Sequence, residues 1–238
     1  MNAKEDNAYR SHLEELGHSG LTQSVIDGFD AWYNSILPRN KNASILDFGC
    51  GLGDFVEYLK MRGYENITGT DINQELITIA ERRTGCKFEI LNDIEEFSNN
   101  NRGRYDYVHM KDVLEHIDKP DMIRYLEMLK ATLKPDGFII ISCPQMCGFT
   151  SLFTLFNDFT HKTLFTERSL KYLLRSAGFS TVELIRPIIP LNLRPSALFL
   201  RIARCLWFKI LRIVYFIERP GEEMPPYLGD RIVVTASL

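Results

Sequence analysis

Long hydrophobic runs are missing from this sequence, and so is an excess of positive charge. The most apolar stretch, residues 196–217, is interrupted by four basic residues, so it does not predict a membrane-spanning helix. The formal net charge is −3, whereas nucleic-acid-binding proteins typically have an excess of positive charge. We therefore expect no nucleic-acid partner.

Cysteine is scarce and odd in number, which argues against a disulfide framework. The five cysteines lie mostly in apolar contexts and indicate reduced thiols. The first residues are polar and mixed in charge, unlike a signal peptide. We expect a cytoplasmic protein, with the inner face of the membrane as a second possible location. The cysteines are Cys50, Cys86, Cys143, Cys147 and Cys205.

Strand-like and helix-like segments alternate between residues 43 and 185. Because parallel neighbours need crossover connections, this alternation predicts an α/β fold with a doubly wound, Rossmann-like sheet. The prediction is a single domain over residues 1–238, with an N-terminal helical cap at 1–40. A helical insertion at 187–228 precedes a final strand, Arg231–Ser237, which we expect to be antiparallel.

A glycine-rich turn follows the first predicted strand directly. It has the sequence Asp47-Phe-Gly-Cys-Gly-Leu-Gly53 and leads into a predicted helix. Glycines let a ligand approach the backbone closely, and the start of a helix offers free N–H groups. A dinucleotide site does not fit, because Asp54 stands where its third glycine belongs when the motif is counted from Gly49. An acidic residue before the glycines suits a cationic ligand.

Two more acidic residues follow the second and third predicted strands. Asp71 ends the second strand, where a carboxylate can bind both hydroxyls of a ribose. Asn92-Asp93-Ile94 follows the third strand, where a carboxylate can accept a hydrogen bond from an adenine amine. Both positions lie at the same sheet edge as the glycine turn, so a nucleoside-binding edge is predicted.

Five motifs occur in a familiar order and spacing: Ile45–Gly53, Gly69–Ile72, Asp112–His116, Leu133–Gly137 and Asp158–Phe179. Through them the sequence resembles class I S-adenosylmethionine-dependent methyltransferases, in the broad group of ubiquinone-pathway O-methyltransferases and bacterial glycan methyltransferases. The resemblance implies S-adenosyl-L-methionine as cofactor and a seven-stranded sheet ordered 3-2-1-4-5-7-6, with strand 7 antiparallel. The cofactor-binding residues that we infer with it are Asp47, Gly49, Cys50, Gly51, Gly53, Asp71, Ile72, Asn92, Asp93 and Ile94.

Two histidines are candidates for the catalytic base. His116 closes Asp112-Val-Leu-Glu-His, and His161 lies in residues 144–180, a lid region on the acceptor side. A histidine with a near-neutral pKa can take a proton from a hydroxyl group. Either can instead have a structural role. We expect the acceptor to be a small molecule, namely a sugar or a glycan carried on a lipid.

A metal ion is an open alternative at the same place, although the main prediction has none. The quinone-type relatives have a Glu-x-x-Glu-His run associated with a divalent cation, and this sequence has Asp112, Glu115 and His116 there. Such ligands suit Mg²⁺ or Mn²⁺. The alternative functions are a metal-assisted O-methyltransferase of a polyprenyl phenol and, in another class, a non-catalytic S-adenosylmethionine-binding subunit.

The insertion contains one amphipathic helix at residues 196–217. At 100° per residue, its four cations fall within an arc of about 140°, and the remaining circumference is largely apolar. This pattern is typical of a helix that lies on an anionic membrane surface. A helix packed on the sheet or against a second copy of the chain is the other interpretation. A homo-oligomer therefore remains open.

Overall fold

The sheet has seven strands in the order β3-β2-β1-β4-β5-β7-β6. The structure is a computed structural model, and it describes residues 20–146, 151–188, 195–225 and 229–238. Strand β7 is antiparallel to both of its neighbours, and the other pairs are parallel. The predicted fold class, strand order and reversed last strand are confirmed. The strands are β1 Ile45–Phe48, β2 Ile67–Asp71, β3 Lys87–Ile90, β4 Tyr105–Lys111, β5 Leu133–Pro144, β6 Thr181–Ile185 and β7 Arg231–Ser237.

Helices cover both faces of the sheet. A single 3₁₀ turn, Leu114–His116, follows β4. Part of the predicted N-terminal cap, Cys147 and most of residues 187–195 lie outside the described residues. The helices are α1 Gln23–Tyr33, α2 Asp54–Met61, α3 Gln74–Thr84, α4 Ile94–Asn100, α5 Lys119–Thr132, α6 Ser151–Asn157, α7 Glu167–Ser176 and α8 Pro195–Glu218.

The core divides into two apolar clusters because the central strands are buried on both sides. Every residue of β1 is buried, as expected for a parallel strand between two others. One cluster packs α4, α5 and α7 on the sheet, and the other packs α1, α2 and α3. These two layers fix the strand ends from which the candidate site is built.

The predicted helical insertion before the last strand is confirmed as α8, a helix of 24 residues. Among the residues that the structure describes, no helix is both long enough and apolar enough to cross a membrane. None of its described side chains belongs to either apolar cluster. The described side chains of α8 therefore do not contribute to the core.

Candidate active site

The carboxyl ends of β1, β2 and β4 open into a cleft of about 920 Å³. Its walls come from the glycine turn, the end of β2, the segment after β4, helix α1 and residues 153–162. Ligands of open α/β sheets bind at this edge, where the strand order reverses. The structure thus brings the predicted cofactor edge and the two candidate histidines to one cavity.

The glycine turn needs its glycines for two different reasons. Gly49 has φ +75°, and a Cβ there would lie 2.2 Å from Cγ2 of Val113. Gly51 also has a positive φ, but open space lies where its Cβ would point. Close packing therefore excludes a side chain at Gly49, whereas Gly51 leaves the backbone accessible to a ligand. Gly53 is packed against Ala80 and does not line the cleft.

Asp71 holds the cofactor side of the cleft together. Its Oδ2 accepts a hydrogen bond from the Gly51 N–H and its Oδ1 one from the Asn73 N–H, both at 2.9 Å. Burial raises the pKa of this carboxyl, and the N–H groups oppose the rise. Ile72, 62% exposed, offers an apolar surface beside it. Cys50 also lines the cleft, and burial raises the pKa of its thiol.

Asp93 has a visible structural role. Its Oδ1 accepts a hydrogen bond of 2.8 Å from the Glu96 N–H and caps α4. Neither Asp93 nor its neighbours Asn92 and Ile94 line the cleft. The proposed contact of Asp93 with adenine therefore stays a prediction.

His109 is a cleft residue that the sequence analysis did not identify. Its Nδ1 lies 2.7 Å from Oδ1 of Asp47, and its ring stacks on Phe55 with centroids 3.6 Å apart. Burial lowers the pKa of the imidazole, so the neutral ring donates its Nδ1–H to the carboxylate. The buried Nε2 has no hydrogen-bond partner among the described residues. A histidine in a buried strand is the available signal, but only the β1–β4 register pairs it with Asp47.

The two candidate histidines meet on the opposite side of the cleft. The ring centroids of His116 and His161 are 4.8 Å apart. His161 Nδ1 lies 2.9 Å from the carbonyl oxygen of Thr154, so this nitrogen carries the proton in the neutral ring. Nε2 of His161, 3.7 Å from Oδ2 of Asp158, is then the atom able to accept a proton.

A short hydrogen-bond chain orients His116 in the same way. The Thr160 hydroxyl donates to Oδ1 of Asp158 at 2.6 Å, so it accepts from Nδ1 of His116 at 2.9 Å. Burial would raise the pKa of Asp158, but its hydrogen bonds from Thr160 outweigh this and lower it. Burial lowers the pKa of His116. With Nδ1 as the protonated nitrogen, the neutral form of each imidazole has an unprotonated Nε2.

Glu115 lies fully buried beside these rings. Neither of its carboxyl oxygens has a hydrogen-bond partner among the described residues. Burial raises its pKa to about 8, and the Asp112 carboxylate acts in the same direction. Ligand atoms of Glu115, His116 and His161 lie within 4.8 Å of one another. These residues could hold a divalent cation, so the donor set fits the metal alternative.

Asp112, the third metal candidate from the sequence, is not in that cluster. Its carboxylate accepts hydrogen bonds from Lys111 and from Arg231 at the start of β7. Burial would raise its pKa, but these two cations hold the pKa well below its usual range. Its φ of +53° is rare for a residue other than glycine. Asp112 therefore fixes the segment that leads to Glu115 and His116.

Comparisons with known proteins agree on one family. Residues 25–184 match the family model described as a methyltransferase domain. A ubiquinone biosynthesis O-methyltransferase of Vibrio parahaemolyticus is 33% identical over 102 residues, which are 41% of this chain and 42% of that protein. One of Bordetella avium is 28% identical over 47% of this chain and 46% of its own length. The matched part thus spans less than half of either relative.

Solved structures extend the likeness to nearly the whole fold. A SAM-dependent methyltransferase from Archaeoglobus fulgidus superposes with a TM-score of 0.65 at 20% identity, over 91% of this chain and 95% of that one. A Thermotoga maritima protein, described as a possible histamine N-methyltransferase, gives 0.57 at 18% identity over 97% and 94%. At these identities the likeness concerns the fold alone.

Proposed function

Because the chain belongs to the class I S-adenosylmethionine-dependent methyltransferases, we propose that it methylates a hydroxyl group of a small-molecule acceptor. The acceptor that we propose is a sugar or a glycan carried on a lipid. The observation that supports transfer to oxygen is the pair of imidazoles facing the cleft, each with its Nδ1 hydrogen-bonded to an oxygen, so that Nε2 is the atom able to accept a proton. An oxygen nucleophile must lose a proton on methylation, and these atoms can take it.

The cofactor fits the opposite side of the cleft. The accessible backbone at Gly51 and the carboxylate of Asp47 suit a ligand that carries an ammonium and a sulfonium group, and the carboxylate of Asp71 suits its ribose. S-adenosylmethionine, when bound, supplies a methyl group already activated by its sulfonium. What remains for the protein is to position the acceptor, exclude water and remove the proton. His161 is the stronger candidate base, because Glu115 and Asp158 both lie beside its Nε2.

Histidine replacements test this mechanism. His161→Ala and His116→Ala should each keep the affinity for S-adenosylmethionine, measured by calorimetry, because neither touches the glycine turn. Turnover should fall by ~10²–10⁴-fold for the variant that removes the base. The readout is S-adenosylhomocysteine formed with a panel of free sugars, lipid-linked saccharides and polyprenyl phenols. Wild-type rates in both variants would contradict a role for either histidine.

A second candidate function is the metal-assisted methylation of a polyprenyl phenol. It is favoured by the buried carboxyl of Glu115, which has no hydrogen-bond partner among the described residues and lies beside two imidazoles, and the Vibrio relative is a ubiquinone biosynthesis O-methyltransferase. A divalent cation there would polarise the acceptor oxygen and lower its pKa. Activity that disappears on chelation and returns with Mg²⁺ or Mn²⁺ would establish this metal-assisted mechanism. Activity that chelation leaves unchanged would exclude it.

A further inference from the structure

Helix α8 exposes an apolar face that no other described part of the chain covers. Ten of its large apolar side chains are more than a third exposed, although a soluble monomer rarely shows so extended an apolar surface. They occur from residue 198 to residue 217, over about 29 Å at 1.5 Å per residue. They are Leu198, Phe199, Ile202, Leu206, Trp207, Ile210, Ile213, Val214, Phe216 and Ile217.

The exposed face points away from the rest of the protein. Leu206, Ile210 and Ile213 lie together at one side of the helix, and each is at least 50% exposed. The half-buried side chains of α8 are Phe208, Leu211 and Tyr215. At 100° per residue the two groups lie on roughly opposite sides of the helix. One side of α8 is thus partly buried, and the opposite side is exposed and apolar.

The charge of α8 indicates what covers this face. In a chain of net charge −3, the helix has four cations and a single carboxylate, Glu218. Lys209 borders the apolar face and Arg212 lies next to it, both exposed. Long basic side chains beside an apolar face can reach anionic headgroups while their stems stay in contact with acyl chains.

A second copy of the chain suits this surface less well. A symmetric dimer brings the same patch of both subunits together, and Lys209 at the edge of that patch would find no carboxylate on the partner's α8 other than Glu218. A cation left without a partner at an interface costs free energy, whereas anionic lipids attract it. We propose that α8 lies flat on an anionic membrane surface, with Leu206, Ile210 and Ile213 inserted among the lipids.

Vesicle sedimentation tests the proposal without cofactor or acceptor, so its outcome is independent of the proposed reaction. The full chain should sediment with vesicles of phosphatidylcholine and phosphatidylglycerol in equal parts. It should bind pure phosphatidylcholine vesicles less well. Salt should weaken the electrostatic part of binding, because screening shortens the reach of the cations.

Two double variants separate the apolar and electrostatic contributions. Leu206→Ser with Ile213→Ser should weaken binding to the anionic vesicles by at least about tenfold, because both side chains leave the lipid. Lys209→Glu with Arg212→Glu should weaken it by about tenfold or more and reduce the dependence on salt. All these positions are exposed, so S-adenosylmethionine affinity should be unchanged and serves as the check on folding.

Matched controls place equal changes elsewhere on the surface. Met61→Ser with Tyr172→Ser removes two side chains that are 62% and 73% exposed, and Arg82→Glu with Arg175→Glu reverses two exposed cations. Both controls should sediment like the wild type. A wild-type protein that stays in the supernatant at low salt overturns the proposal. A stable dimer that Leu206→Ser with Ile213→Ser dissociates would also overturn it and would make α8 an interface between copies.

Discussion

Asp71 holds two turns of the cofactor site at once, because each of its oxygens accepts a different backbone N–H. Asp71→Asn replaces one acceptor by a donor and removes the charge that a ribose hydroxyl would meet. Charge-assisted hydrogen bonds contribute about 1.5–3 kcal/mol each, so the dissociation constant for S-adenosylmethionine should rise at least tenfold. Calorimetry measures it, with the exposed Asp136→Asn as control. Equal affinities in the two variants would refute the ribose assignment.

Asp93 distinguishes a structural contact from a ligand contact. Asp93→Ala removes the cap of α4 and should lower the free energy of unfolding by about 1 kcal/mol. Asp93→Asn keeps an oxygen able to cap and should be nearly as stable as the wild type. If the carboxylate also binds adenine, both variants lose affinity for S-adenosylmethionine. Urea unfolding and calorimetry on the same samples give both quantities, and unchanged affinity would leave the cap as the only role.

At the residue scale, the sequence predicts those site residues whose position follows from the local strand pattern. Asp47 and Asp71 lie in the last residues of β1 and β2, and Gly49 and Gly51 follow β1, so the strand pattern places them at one edge and the structure puts them in the cleft. His109 could not be found in this way, because its partner Asp47 is distant in sequence and meets it only through the register of two strands. Burial, which decides the charge of Glu115, is likewise a property of the packed chain.

Among the elements, β7 contributes one side chain to the site, that of Arg231, which binds Asp112. Arg231 and Asp112 have side chains that are only 25% and 27% exposed, so removing one charge leaves the other poorly solvated. Asp112→Asn should lower the free energy of unfolding by about 2–3 kcal/mol, measured in urea. Asparagine tolerates the positive φ, so backbone strain does not account for the loss. Arg231→Met and the double variant Asp112→Asn with Arg231→Met complete a double-mutant cycle. If the losses in the free energy of unfolding of the two single variants add up to the loss in the double variant, the pair is not coupled.

The helices and strands differ in how well they can be predicted from the sequence. Strands β6 and β7 lie where the apolar pattern predicts them, because alternation in short segments is a local property. Helix α4 escaped the sequence analysis, since only 7 residues form it and three of the last four residues through its C-cap are asparagine. The residues Lys134-Pro-Asp-Gly137 have the composition of a turn, but they lie inside β5, where none of them is paired with β4. The local turn signal is therefore kept as a bulge inside the strand.

For the molecule as a whole, the alternating pattern and the resemblance predict the layers and the strand order, whereas the orientation of α8 depends on contacts that no local pattern encodes. The strongest global test is ligand-induced stabilisation. S-adenosylhomocysteine at a hundred times its dissociation constant should stabilise the fold by about 2.7 kcal/mol, which raises Tm by roughly 5–10 °C. NAD should leave Tm unchanged, because its pyrophosphate would meet acidic side chains. An equal shift with NAD would contradict the cofactor assignment.

The position of β7 between two earlier strands constrains the order in which the molecule can fold. Among the described residues β6 pairs with β7 alone, and β5 also lacks a neighbour on that side until β7 arrives. While the ribosome is still making α8, therefore, both strands present open backbone edges able to recruit other chains. The amphipathic helix emerges during that same interval. Synthesis beside a lipid surface would thus let α8 bind that surface before β7 closes the sheet.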